Sequence, residues 1–241
     1  EPRDCIIVDG RFSKKIDIKI LSPVQDLLYT EAEEINSNLY EYLDKMIRTH
    51  TTTLIFTNTR SGTERIVHHL KETFPETYSE DDIGAHHSSV AKGTRLDLET
   101  KLKEGKLKVI VSSTSLELGI DIGYVDLVIQ IGSPKSVARG LQRVGRSNHK
   151  LHQTSKGRII CLDRDDLIET TVMFNKASEY WLDRIYIVKN ALDVLSQQIV
   201  GMSLENKWYL KDAFELITKS YCYKDLDYET YMRVIKYLSG E

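Results

Sequence analysis

The chain has 241 residues, of which 41% are hydrophobic and 29% charged, and its formal net charge at pH 7 is -3. This composition is typical of a globular protein with one or two domains. It contains no apolar run of about 18 residues, so we expect no membrane span. The near balance of charge does not indicate a nucleic-acid partner, so such a function would have to depend on local clusters.

Three cysteines, Cys5, Cys161 and Cys222, lie far apart in the sequence. This spacing predicts neither a disulfide framework nor a metal cluster, and it favours a reducing compartment. We therefore expect a cytoplasmic protein with no metal ligands of its own. The first residues carry no initiator Met and no basic-then-apolar leader, so we expect no signal peptide and a chain that belongs to something longer.

Short apolar segments alternate with amphipathic ones from the first residues to about residue 165. Buried strands separated by amphipathic helices are typical of stacked βαβ units. We therefore predict an α/β domain over residues 1–168, built on a parallel sheet with helices on both faces. The predicted strands lie at 5–8, 16–20, 54–56, 83–85, 108–111, 126–130 and 158–161, and the predicted helices at 31–48, from 61 onward, 91–103 and 136–143.

Helical patterns dominate the rest of the chain, which is rich in tyrosine and tryptophan. We predict a small, mainly helical module over residues 169–241, and we expect its aromatic residues to form a core rather than a stacking surface. The predicted helices lie at 166–179, 188–203, 210–219 and 228–238.

An α/β pattern invites a search for phosphate-binding loops. Gly105-Lys106 is followed by Leu107 and lacks the upstream glycine of a Walker A loop, and no Asp-Glu dipeptide is present to act as a Walker B magnesium ligand. We therefore do not expect the domain to bind ATP in the P-loop manner by itself.

The segment 135–158 contains seven Lys or Arg residues and no acid. Within it, Arg139, Arg143 and Arg146 are spaced i, i+4 and i+7, which predicts that they share one face of a helix. Guanidinium groups that converge on one face favour an anion among them, and arginine makes bidentate contacts to phosphate. From spacing alone, a solvated basic face is an equally good interpretation.

Two polar segments, 57–60 and 112–115, each follow a predicted strand directly. Hydroxyl groups and exposed amides at the carboxyl end of a strand, opening onto a helix, are suited to binding phosphate. Each segment alone is equally consistent with a loop or a helix cap.

Taken in order, three segments resemble motifs of superfamily 2 helicases. Residues 54–60 (LIFTNTR) resemble motif IV, residues 111–121 (VSSTSLELGID) motif V, and residues 142–146 (QRVGR) motif VI. The spacing of the three is similar to that of the second RecA-like domain of these enzymes.

A narrower resemblance is to the large helicase-related (Lhr) family. It rests on 115–130 (SLELGIDIGYVDLVIQ) and 132–139 (GSPKSVAR), and 190–200 resembles the first helix of that family's winged-helix domain. The resemblance is close over about 50–165 and looser beyond. It implies the fold of a second RecA-like motor domain followed by the start of a winged-helix-like module.

The resemblance implies that ATP and Mg²⁺ are bound between two RecA-like domains, mainly by the first, which supplies the Walker residues. The second domain would supply Arg146 as an arginine finger and Arg143 as a second γ-phosphate ligand, the two catalytic residues. The implied ATP-binding residues are Gly119, Asp121, Gln142, Arg143 and Arg146.

The resemblance also implies 3′-to-5′ translocation on single-stranded DNA, in DNA repair, with RNA left open as a substrate. We expect contacts mainly to the strand's backbone. The expected nucleic-acid-binding residues are Thr57, Asn58, Arg60, His86, Ser88, Arg95, Ser112, Ser113 and Thr114. Whether the tail packs against the motor or contacts DNA is left open.

Two positions depart from related motifs. His149 stands where many helicases have a further motif VI arginine, and Gly123 stands where DEAD-box relatives have proline, which argues against a DEAD-box assignment. A neighbouring helicase family with a similar second domain and winged helix is disfavoured by Gly119-Ile120-Asp121. The competing function is a non-enzymatic module that binds nucleic acid or a partner. The intact pair Arg143 and Arg146 favours the helicase, although this chain alone is expected to be inactive.

Overall fold

A computed structural model describes residue 6 and residues 15–117, 123–147 and 154–240. The chain divides into two compact units, residues 1–183 and residues 184–241. The strand predicted at 5–8 lies outside the described residues, apart from Ile6, which is in no regular element.

The first unit contains a six-stranded sheet in which every neighbouring pair of strands is parallel. The strand order is β1-β6-β5-β2-β4-β3, so the sheet is built by crossovers, as expected for βαβ units. The strands are β1 (Ile16–Leu21), β2 (Thr53–Phe56), β3 (Ile83–His86), β4 (Val109–Ser112), β5 (Leu127–Ile131) and β6 (Ser155–Ile160).

Helices cover both faces of this sheet. Alternate side chains of one strand point to opposite faces, and those of β2 belong to two separate apolar clusters. Ile55 packs with α1 and α2, whereas Leu54 and Phe56 pack with α3. The predicted α/β sheet with helices on both faces is therefore confirmed. The helices of this unit are α1 (Ala32–Arg48), α2 (Arg60–Thr73), α3 (Lys92–Lys103), α4 (Val137–Val144) and α5 (Arg164–Ser178).

Helices are the only regular elements among the described residues of the second unit. It contains α6 (Leu192–Glu205), α7 (Leu210–Thr218) and α8 (Tyr228–Ser239). Its core includes Tyr223 and Tyr231, which are 8% and 1% exposed, together with aliphatic residues from the three helices. The predicted small helical module is confirmed. Across the described ranges, no helix combines the length and the apolar character that crossing a bilayer requires.

The limit between the two units differs from the predicted one at 168/169. That position falls inside α5, which packs on the first unit through Phe174, in contact with Val144 and Ile159. This packing makes α5 part of the first unit. The domain limits themselves stay a prediction.

Helix α4 approaches the sheet closely because a glycine lies beneath it. A Cβ atom at Gly157 in β6 would lie 2.6 Å and 2.8 Å from the two γ-methyl carbons of Val144. Valine has few rotamers with which to avoid such a clash. The position of α4, and of the arginines that it carries, therefore depends on the missing side chain at residue 157.

We expect Gly157→Ala to lower the free energy of unfolding by about 1–3 kcal/mol, because the added methyl group overpacks the α4–β6 contact. Gly93→Ala is the matched control: the site lies in α3 with no atom within 4 Å, so we expect a gain of about 0.4–1 kcal/mol. Urea denaturation of both variants and of the parent chain measures these changes in the free energy of unfolding. Equal stabilities for the two would contradict the proposed close packing.

Candidate functional site

The candidate site lies along the edge of the sheet formed by the carboxyl ends of the strands. The registers pair Gln130 of β5 with Phe56 of β2, Phe56 with Ser112 of β4, and Ser112 with His86 of β3. These four residues form one row across the sheet, and the loops that follow three of the strands contain residues predicted to bind nucleic acid. In open parallel sheets this edge is where ligands bind.

A buried arginine joins three of these strand ends. The Arg143 side chain is 1% exposed. Its Nε and Nη2 donate to Oε2 of Glu117 at 3.2 and 3.0 Å, and its Nη1 donates to Oε1 of Gln130 at 2.5 Å and to Oδ1 of Asn58 at 3.4 Å. The guanidinium also lies 5.0 Å from the centre of the Phe56 ring. Arg143 is thus enclosed by acceptors and one aromatic face.

Glu117 contacts all three arginines predicted to share a face. Besides Arg143, its Oε1 lies 3.2 Å from Nε of Arg139, and its main-chain carbonyl accepts from Nε and Nη2 of Arg146 at 3.1 and 2.7 Å. Helix α4 itself ends at Val144, so Arg146 lies in the turn after it rather than on the helix. The three arginines meet at one glutamate, but the prediction that they share one face of a helix is wrong for Arg146, because α4 ends before it.

Burial and charge act in opposite directions on Arg143. Desolvation lowers the pKa of its guanidinium, and the neighbouring Glu117 carboxylate raises that pKa. Arginine stays protonated in proteins, so the buried group remains a cation. The Glu117 carboxylate is therefore its necessary counter-charge.

The structure separates the predicted nucleic-acid residues by exposure. Thr57, His86, Ser112 and Ser113 are buried, Arg95 is half-buried, and Asn58, Arg60, Ser88 and Thr114 are exposed. All except Arg95, which lies in α3, follow or end β2, β3 or β4, so they lie along one edge. Of the exposed four, Asn58 also binds inside the protein, where its Oδ1 accepts from Arg143.

The buried members of this set bind other parts of the protein. Thr57 Oγ1 donates to the Thr59 carbonyl at 2.9 Å. The ring of His86 contacts Ser115 Oγ at 2.7 Å through Nδ1 and Glu99 Oε1 at 3.0 Å through Nε2. These contacts fix the loops after β2 and β3. A direct contact of these side chains with a nucleic-acid strand stays a prediction.

Three ATP-site predictions have different outcomes. Gln142 is exposed on α4. Gly119 and Asp121, and also His149, lie outside the described residues.

Gly123, where DEAD-box relatives have proline, has a φ of 72°, and a Cβ there would lie 2.8 Å from Cα of Lys103. Proline cannot adopt a positive φ, which gives this departure a structural reason.

Sequence reasoning did not assign roles to Glu117 and Gln130, although both lie in the segments that carried the family resemblance. One signal was available: a glutamine in the middle of the otherwise apolar strand 127–131 needs a buried partner. Glu117 gave a weaker signal, as a single acid among apolar and hydroxyl residues.

The donors present fit a phosphate better than a magnesium ion. Arg139 has a half-exposed side chain and Arg146 is partly buried, and both belong to the cluster around Glu117. Within the described ranges, no three His, Cys, Asp or Glu side chains are placed to hold a metal. Cations of this kind stabilise anionic groups, whereas magnesium requires several oxygen ligands.

Two protein families match consecutive parts of the chain. The helicase conserved C-terminal domain matches residues 36–149, and the winged-helix domain of the large helicase-related protein matches residues 175–241. The first match covers β2 to α4 and therefore the whole candidate site, and the second covers the helical unit.

Full-length matches agree with these two families. The chain is 54% identical over 239 residues to the ATP-dependent helicase Lhr-Core of Methanothermobacter thermautotrophicus, and 55% identical over 240 residues to Lhr-Core protein 2 of Thermococcus barophilus. These alignments cover 99% and 100% of this chain but 28% of each relative, so the chain spans less than a third of their length.

A solved structure agrees as well. The structure of the Mycobacterium smegmatis helicase Lhr bound to ssDNA and AMP-PNP is 32% identical, with a TM-score of 0.86 over 92% of this chain and 29% of that one. The C-terminal domain of the DEAD-box protein Dbp5, at 17% identity and a TM-score of 0.51 over 69% of this chain and 87% of that one, shares the fold alone. The chain thus belongs to the large helicase-related family of superfamily 2 helicases.

Proposed function

We propose that this chain is the second motor domain of an ATP-dependent nucleic-acid helicase, followed by the start of a winged-helix domain. It would supply cations to an ATP site that it shares with a first RecA-like domain. The observation that carries this proposal is the cluster of three arginines around Glu117 at the carboxyl edge of the sheet. Arginines at this edge favour a role in stabilising phosphate charge over a module that only binds a partner.

Arg146 is the proposed arginine finger, which stabilises charge that develops on the transferred phosphoryl group. The Arg143 contact with the γ-phosphate stays a prediction. In this structure the Arg143 guanidinium donates to protein acceptors and is 1% exposed. Mg²⁺ and its ligands belong in this proposal to the first domain. The proposed ATP site also includes three residues beside the nucleotide, namely Gly119, Asp121 and Gln142.

The proposed nucleic-acid track runs along the loops after β2, β3 and β4. Its support is the exposure of Asn58, Arg60, Ser88 and Thr114 at one edge. Single-stranded DNA is the proposed substrate, with 3′-to-5′ polarity and a role in repair, and all three depend on family membership. A cytoplasmic location accords with the free thiols of Cys161 and Cys222.

Arg146→Ala should lower the rate of ATP hydrolysis by about 10³-fold or more when this chain is joined to a first RecA-like domain and supplied with single-stranded DNA. The chain by itself should be inactive. Steady-state hydrolysis measures both. Arg65→Ala, at an exposed arginine of α2, is the matched control and should keep the parent rate.

Full hydrolysis without Arg146 would rule out the arginine finger. If the joined domains are folded and bind DNA but never hydrolyse ATP, the non-enzymatic binding module becomes the better interpretation.

Arg60→Ala should weaken binding of single-stranded DNA and reduce the slope of log affinity against log salt by about 0.7, the value for one lost phosphate contact. Its guanidinium lies at the exposed edge, where Nη1 donates to Ser89 Oγ at 3.0 Å. Lys106→Ala makes the same charge change before β4, at the opposite edge of the sheet, and should leave the slope unchanged.

Fluorescence anisotropy at several salt concentrations measures these slopes. Equal slopes for the two variants would place the strand elsewhere on the domain.

A further inference from the structure

Glu117 holds two different kinds of contact at once. Its carboxylate, in a side chain 10% exposed, binds Arg143 through Oε2 and Arg139 through Oε1. Its main-chain carbonyl accepts two hydrogen bonds from Arg146. One residue therefore connects the buried arginine to the proposed finger.

The carboxylate has little freedom to move. Arg143 makes two hydrogen bonds to the same oxygen, and its own guanidinium is fixed by Gln130, Asn58 and the Phe56 ring. Removing either partner of a buried ion pair is strongly destabilising, so the pair resists separation. The side chain of Glu117 is thus fixed relative to the sheet.

Fixing the side chain also fixes the peptide group that binds Arg146. The two hydrogen bonds, 3.1 Å from Nε and 2.7 Å from Nη2, engage one edge of the guanidinium and set its orientation. Arginine has a rigid planar fork, so the direction of one edge determines that of the others. A small rotation of the Glu117 backbone would therefore displace the acceptor of both of these hydrogen bonds.

We propose that Glu117 is a positioning residue for phosphoryl transfer: Arg143 locks its carboxylate, and its carbonyl thereby aligns Arg146 with the transferred phosphate. This inference rests on the proposed function, in which Arg146 is the finger. Arg143 then contributes to phosphoryl transfer through Glu117, in addition to its predicted contact with the γ-phosphate. The competing explanation is that Glu117 serves only as a counter-charge for the fold.

A double-mutant cycle separates these explanations. Glu117→Asp keeps the negative charge beside Arg143 but shortens the side chain by one methylene, so the carboxylate and the carbonyl cannot both keep their places. It is made alone and together with Arg146→Ala, in the polypeptide that joins this chain to a first RecA-like domain. Glu117→Gln, which removes the charge, is the second variant, and thermal unfolding shows which variants are folded at the assay temperature.

We expect Glu117→Asp to lower kcat by about 10–100-fold, because displacements near 1 Å cost about 10²-fold, with KM for ATP changed by less than about twofold. In the Arg146→Ala background the same change should have almost no further effect on the rate constant of ATP hydrolysis, measured for all variants in single turnovers with enzyme in excess. Residues that act through one another are non-additive in this way.

An unchanged kcat in Glu117→Asp would overturn the inference. The same fold-loss with and without Arg146, which a purely structural role predicts, would also overturn it. If Arg146→Ala alone leaves kcat unchanged, the finger assignment fails and the inference fails with it. That outcome is read from the Arg146 variant alone, so the two failures are distinguishable. Loss of kcat in Glu117→Gln but not in Glu117→Asp would support the counter-charge and reject positioning.

Discussion

The guanidinium of Arg143 is 1% exposed, and a cation removed that far from water has to be surrounded by acceptors if the domain is to stay folded. The acceptors come from separate segments: Glu117 after β4, Gln130 within β5 and Asn58 after β2. Each of these segments therefore has to keep its place relative to α4. The desolvation of one side chain thus sets the geometry of the whole candidate site.

The same segments carry the motifs by which the family is recognised. Asn58 lies in motif IV, Glu117 in motif V and Arg143 in motif VI. Arg143 is bonded to both of the others, so it joins the three motifs inside this domain. Part of the chemical pattern that identifies the family is therefore an internal network rather than a set of ligand contacts. The residues that identify the family are therefore also the ones whose hydrogen bonds to Arg143 set the geometry of the site.

The sheet was predictable because its strands are short apolar runs between amphipathic helices, and this pattern placed β2 to β6 within a few residues. Spacing predicted that Arg139, Arg143 and Arg146 would share one face of a helix, which is wrong for Arg146 because α4 ends at Val144. It could not predict that Arg143 would be buried, because burial depends on how closely α4 approaches β6 at Gly157. That contact joins residues far apart in sequence, and local periodicity carries no information about it.

The sequence also could not predict which of the hydroxyl residues at the strand ends are exposed. Thr57 and Ser112 are hydroxyl residues at strand ends and look suited to binding phosphate, yet both are buried, at 4% and 0% exposed. Hydroxyl groups form hydrogen bonds with the backbone of loops and helix starts as readily as they bind ligands, so residue type alone does not separate these roles. Only the positions of neighbouring elements decide between them.

The row of paired residues across β5, β2, β4 and β3 has a mechanical consequence. Continuous ladders of backbone hydrogen bonds connect Gln130, Phe56, Ser112 and His86, so the loops beyond them stand on one stiff support. Packed interiors transmit displacement rather than absorb it. A displacement of Arg143, which is bonded to Gln130 at one end of this row, would therefore be passed along the row to the loops at its other end.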